Sequence, residues 1–133
     1  MTQEFTHIDG DRIRMVDVSA KKEVSREAVA SGAIVLRKET IRAIGEGRTL
    51  KGNVLATARV AAALAVKDTS RMIPMCHAIP VHGIDIEFDL KEEEIIARVR
   101  VISSGKTGVE MEALTGVSVA LLTIWDMVKS AEK

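Results

Sequence analysis

Ile84-Asp85-Ile86-Glu87-Phe88-Asp89-Leu90, followed by Lys91-Glu92-Glu93-Glu94 and then by Ile95-Ile96-Ala97-Arg98-Val99-Arg100-Val101-Ile102, is the stretch that decides the fold of this chain. Apolar and acidic side chains alternate over residues 84–90, and a period of two puts every second side chain on one face of a strand. The charged residues 91–94 then read as a hairpin turn, and residues 96–102 as the returning strand. A hairpin with one apolar face must be covered by a second layer.

The flanking sequence supplies that layer. Downstream, Ser103-Ser104-Gly105-Lys106 leads into a mainly apolar helix expected over residues 108–130. Upstream lies Met72-Ile73-Pro74-Met75-Cys76-His77-Ala78-Ile79-Pro80, an apolar loop held by two prolines. Before it, Asn53 is placed to cap a helix running to Lys67, along which Val54, Leu55, Ala58, Ala61, Ala62, Ala65 and Val66 recur near helical spacing. The many alanines predict close packing against a neighbour. Residues 45–52 carry Gly45, Gly47 and Gly52 and form a loop, and residues 37–45 form a short helix stopped by glycine. Residues 15–18 and a longer run over 27–36, ending in Ala33-Ile34-Val35-Leu36, predict two earlier strands. The order strand, strand, helix, helix, strand, strand, helix predicts an α+β fold, a ferredoxin-like antiparallel sheet with helices packed on one face.

The length of 133 residues suits one domain over residues 1–133 with one core. Nearly half of the residues are apolar (47%) but only 2% are aromatic, so the core rests on Val, Ile, Leu, Ala and Met. Nineteen basic residues balance nineteen acidic ones. No global field draws the chain to nucleic acid, and stacking aromatics are nearly absent, which argues against a nucleic-acid module. The longest apolar run, residues 60–66, is too short to span a bilayer, and residues 1–5 lack the pattern of a signal peptide. A soluble, cytoplasmic protein without a membrane partner is expected. Cys76 is the single cysteine, and His7 and His82 have no spacing that would complete a metal site with His77. No metal site is expected.

Gly105-Lys106-Thr107 invites comparison with a phosphate loop, but that motif needs a glycine five residues earlier, where Arg100 stands. Free amides at a helix start beside Lys106 can still hold a phosphate. Thr107-Gly108-Val109-Glu110 also fits a capping box, which leaves Glu110 with two readings, helix cap or site residue. Glu112 lies beyond such a cap. It falls within about 40° of Asp126 around the helix axis and about 21 Å from it along that axis. A compact pocket cannot use both from one copy, so a site shared between subunits is expected. Asp126 and Lys129 are spaced as an ordinary i,i+3 pair. Lys51 becomes useful for proton transfer if Arg48, Lys106 or Lys129 converges on it. Cys76 fits a small buried residue better than a nucleophile, and His77 suits hydrogen bonding or proton transfer.

These segments together resemble the molybdenum cofactor biosynthesis protein C family, the cyclic pyranopterin monophosphate synthases. The likeness runs through Met15-Val16-Asp17-Val18-Ser19 with Lys21 and Arg26, Gly47-Arg48 with Lys51-Gly52, and Ile73-Pro74-Met75-Cys76-His77. Its most specific parts are Gly105-Lys106-Thr107-Gly108-Val109-Glu110-Met111-Glu112-Ala113-Leu114-Thr115 and Thr123-Ile124-Trp125-Asp126-Met127-Val128-Lys129. The resemblance implies a lyase that turns a 3′,8-cyclised dihydro-GTP into cyclic pyranopterin monophosphate and pyrophosphate. It also implies a homo-hexamer, a trimer of dimers with ferredoxin-like subunits and interface active sites. By matching position, Asp126, Lys51 and Lys129 would be catalytic. Met75, Cys76, His77, Met111, Glu112 and Glu110 would line the substrate site, with Lys21 and Arg26 in basic surroundings suited to phosphate. No cofactor is required on this reading, with room for a divalent ion such as Mg. Chains of the family continue into a further strand and a glycine-lysine-rich tail, so the tail's basic contribution is expected to be missing from a sequence that stops at Lys133. The rival reading is a non-catalytic, ferredoxin-like ligand-binding module, in which Asp126 and Lys129 are only a surface pair.

Overall fold

The alternating stretch forms the hairpin it predicts. In the computed structural model, which describes residues 8–9 and 12–133, strand β4 (Val81–Leu90) and strand β5 (Glu94–Gly105) run antiparallel, with Phe88 opposite Ala97 and Ile86 opposite Val99. Lys91 N–H donates to Glu94 O at 2.8 Å to close the turn. Two short strands, β1 (Ile8–Asp9) and β2 (Arg12–Ile13), and the long β3 (Val24–Val35) come earlier in the chain. Among the described residues the main sheet has three strands in the order β3-β5-β4, all antiparallel.

β5 is the central strand, and its helix-facing residues Ile95, Ala97, Val99 and Val101 are all fully buried. Covering that face are α1 (Lys38–Gly45), α2 (Val54–Lys67), the single turn α3 (Thr69–Met72) and α4 (Glu110–Val128), with a 3-10 turn over Lys129–Glu132. The α+β arrangement with helices on one face of a ferredoxin-like antiparallel sheet is therefore observed. α2 starts where Asn53 predicts, with the Asn53 side chain accepting from Ala56 N–H at 2.9 Å. Its fully buried Ala58 and Ala62 let it lie close to α4. α4 answers with Gly116, where a Cβ would stand 2.8 Å from Val66 Cγ2 and 3.2 Å from Val99 Cγ1. On the outer edge of β4, Arg59 of α2 donates to Ile86 O and lies over the Phe88 ring, 5.4 Å from its centroid. The edge is blunted in this way against further strand pairing.

Two expectations fail. Residues 15–18 carry no ladder; Ser19 N–H turns back to Asp17 Oδ1 (2.9 Å) and Lys21 N–H to Val18 O (3.0 Å), so local turns win over strand propensity. β3 instead begins at Val24, three residues before the expected start, because β5 extends to Gly105 and offers it a partner. The capping box is also absent. Val109 is the residue preceding α4, Glu110 is the first helical residue rather than the third, and no side chain caps the helix. His7 lies outside the described residues.

Candidate functional site

The Pro74–Pro80 loop, the start of α4 and the turn segment after β2 meet around a cavity of about 590 Å³, within the range of ligand pockets. Ile73, Met75, Ile79 and Met111 make its walls apolar, and Asp17, Lys21, Cys76, His77, Thr107 and Glu110 supply its polar groups. Two contacts hold the turn segment in place. His77 Nε2 meets Val16 O, which as a carbonyl can only accept, so this nitrogen carries the proton. Lys106 Nζ donates to Ser19 O at 3.3 Å. Asp17 is kept below the usual carboxylate range, first by the Ser19 backbone N–H and further by the Ser19 hydroxyl and the charges of His77 and Lys106.

Of the expected substrate-site residues, Met75, Cys76, His77, Met111, Glu110 and Lys21 thus converge. Arg26 stands aside on β3, with its Nε donating to Gly105 O at 3.3 Å. Glu112 is 3% exposed and sits behind the wall, where Cys76 Sγ approaches its Oε2 at 3.9 Å and its Oε1 finds no partner. Burial pushes the Glu112 carboxyl above its ordinary value of 4.5, with the nearby Glu110 adding to the effect. Burial likewise raises the Cys76 thiol, followed by the Glu112 charge. A thiol so placed stays protonated near neutrality, which disfavours its use as a nucleophile. Asp17 was legible only within a motif; the Asp-x-Ser spacing of an Asx turn was the signal for it.

Lys51, Asp126 and Lys129 form a second cluster at the other end of α4. Lys51 Nζ reaches from its glycine loop to Asp126 O at 3.0 Å and to Asp126 Oδ2 at 3.6 Å, and Lys129 Nζ donates to Asp126 Oδ1 at 3.0 Å. The loop makes this reach through Gly47 and Gly52, whose φ values of 70° and 107° are the positive ones among the described residues. Both lysines offset the negative C-terminal end of the helix. The Lys129 hydrogen bond, then the Lys51 charge, hold Asp126 below the usual carboxylate range, so it remains an anion that orients two ammonium groups. Arg48 and Lys106 do not join them: Arg48 pairs with Glu46 at 2.6 Å, and Lys106 is at the cavity.

By helix geometry Glu112 and Asp126 lie within about 40° of each other around α4, but only the first is buried, under Cys76; the Asp126 side chain is 62% exposed. One chain therefore presents two separate clusters, about 21 Å apart along the helix. Along α4, Met111, Leu114, Leu122 and Trp125 are exposed at 37–65% and fall on one side as an apolar stripe, with the exposed Ser118 midway along it.

The profile of the MoaC family matches residues 15–133, which include both clusters. The chain is similar to a probable cyclic pyranopterin monophosphate synthase of Methanospirillum hungatei, 74% identical over 129 residues that cover 97% of this chain and 83% of that protein. A protein of the same description from Methanosphaerula palustris is 65% identical over 130 residues, 98% of this chain and 84% of its own length. A relative from Methanothermobacter thermautotrophicus, 61% identical over 98% of this chain and 82% of its own, is described as a probable cyclic pyranopterin monophosphate synthase accessory protein.

Proposed function

This chain belongs to the MoaC family, and on that premise we propose that it is a cyclic pyranopterin monophosphate synthase, a lyase of molybdenum cofactor biosynthesis. It converts 3′,8-cyclo-7,8-dihydroguanosine 5′-triphosphate to cyclic pyranopterin monophosphate and pyrophosphate. The ring rearrangement needs several proton transfers, and a ribose oxygen must attack the α-phosphate as pyrophosphate leaves. Lys51 and Lys129, both paired with the Asp126 carboxylate and Lys51 also held by the Asp126 carbonyl, carry protons and offset charge developing on phosphate. The apolar cavity with its carboxyl groups takes the ring system, with positive charge from Lys21 in its wall and from Arg26 outside it, on β3 against Gly105. The reaction is redox-neutral and calls for no redox cofactor; a divalent ion such as Mg would enter with the triphosphate.

The observation that carries this reading is the division of the expected site into two clusters about 21 Å apart on one helix, joined by an exposed apolar stripe. Covering the stripe with a second copy would set the lysine cluster of one subunit against the cavity of another. The assembly we propose is a homo-hexamer, a trimer of dimers, soluble in the cytoplasm. The membrane-compatible length and apolarity of α4 serve packing instead, since it lies on β3, β5 and α2. The accessory description of one relative supports a second reading, a ligand-binding subunit without turnover.

Direct assay separates the two. Purified protein should consume the cyclised GTP derivative with equal formation of pyrophosphate, and Lys51→Ala or Asp126→Ala should lower kcat by roughly 10²-fold or more while leaving the oligomer intact. Binding without turnover would favour the accessory reading, and near-normal turnover in either variant would remove that residue from the mechanism.

A further inference from the structure

Gly108 stands between the pocket residue Thr107 and the start of α4, and the backbone does not demand a glycine there. Its φ is not in the left-handed region, unlike those of Gly47 and Gly52. What is unusual is the space over its Cα. A Cβ built on Gly108 falls 2.6 Å from Glu110 Cδ and closer still to both Glu110 oxygens. The Glu110 carboxyl group is folded back into the notch that the missing Cβ leaves. Among the described residues no hydrogen bond or ion pair holds it there, and it caps no helix end.

We propose that Gly108 is a positioning residue for Glu110, turning its carboxyl group into the cavity to receive the N–H-bearing edge of the substrate's ring system. Both residues line that cavity. Phosphate groups offer only acceptors to a carboxylate and are repelled by it, whereas a guanine-derived ring offers N–H donors beside apolar faces. The walls made by Ile73, Met75, Ile79 and Met111 suit such faces. The Gly-Lys-Thr-Gly run thereby has a use other than phosphate binding: its last glycine makes room for an acceptor. The assignment rests on the synthase reading and deepens it.

The test is a double-mutant cycle in the full-length oligomer, measured as KM and kcat for the cyclised GTP derivative, with thermal denaturation alongside. Gly108→Ala displaces only the free end of a flexible side chain, so Tm should stay within a degree or two of wild type. KM should rise by roughly tenfold, the scale of a lost hydrogen bond to a charged group, with little change in kcat. Glu110→Ala should raise KM at least as much, and adding Gly108→Ala to it should change nothing further. Glu110→Asp, which retracts the carboxyl from the notch without touching Gly108, should also raise KM and serves if the alanine variant at 108 fails to fold. Wild-type KM in Gly108→Ala or Glu110→Asp, or full additivity in the double variant, overturns the proposal while leaving the synthase reading intact. Wild-type protein that neither binds nor turns over the substrate overturns both.

Discussion

A carboxyl group sealed beneath Cys76 responds to pH in the opposite sense from one on the surface, and Glu112 and Asp126 are such a pair. Folded Glu112 keeps its proton to a higher pH than the unfolded chain does. Between 4.5 and its folded value the native state therefore binds more protons, and the contribution of Glu112 to stability falls as pH rises through that window. Glu112→Gln removes the titration. Its stability relative to wild type should climb as pH rises above 4.5 and then level off, as followed by denaturant unfolding across pH; a difference independent of pH would contradict the assignment. Asp126 behaves conversely: its favourable contribution is present above 3.8 and is lost as pH falls through its lowered value. The residue types at these positions were legible in the sequence. The meeting of Lys51 with Asp126, 75 residues apart, was not, because it depends on how a glycine loop folds against the far end of α4.

The packing of α4 between α2 and the sheet depends on a few small side chains at the crossing. Gly116→Ala puts a methyl group 2.8 Å from Val66 and 3.2 Å from Val99, neither of which is a flexible chain end. Overpacking of this kind costs about 1–3 kcal/mol, and the variant should melt several degrees below wild type with KM unchanged; an unaltered Tm would mean that the helices separate more freely than their packing implies. The elements with strong periodicity were legible, as the β4–β5 hairpin and the Asn53-capped α2 illustrate. Residues 15–18 were misread because two local turns divert β-prone side chains toward the cavity. The start of α4 was misread because Thr107 and Gly108 serve the cavity rather than the helix end.

The proposed assembly treats the two clusters on one chain as halves of sites completed by a second copy. Helix geometry alone predicts the separation of Glu112 from Asp126, so this feature was legible before any fold was known. What sequence could not supply was the burial that divides the two environments or the exposed stripe of Met111, Leu114, Leu122 and Trp125 along α4. A symmetric dimer closed over that stripe would use the lysine cluster of each copy to complete the cavity of the other. Subunit complementation tests this claim directly. Asp126→Ala and Lys21→Ala are each purified with low turnover, then mixed at equal concentration, dissociated and allowed to reassemble. If the site is shared, random reassembly restores both wild-type halves in about a quarter of the sites, and turnover of the cyclised GTP derivative should recover to about that fraction of wild type. If each site is built from one chain, the mixture should show no more activity than the average of the two inactive variants, and the shared-site account would be wrong.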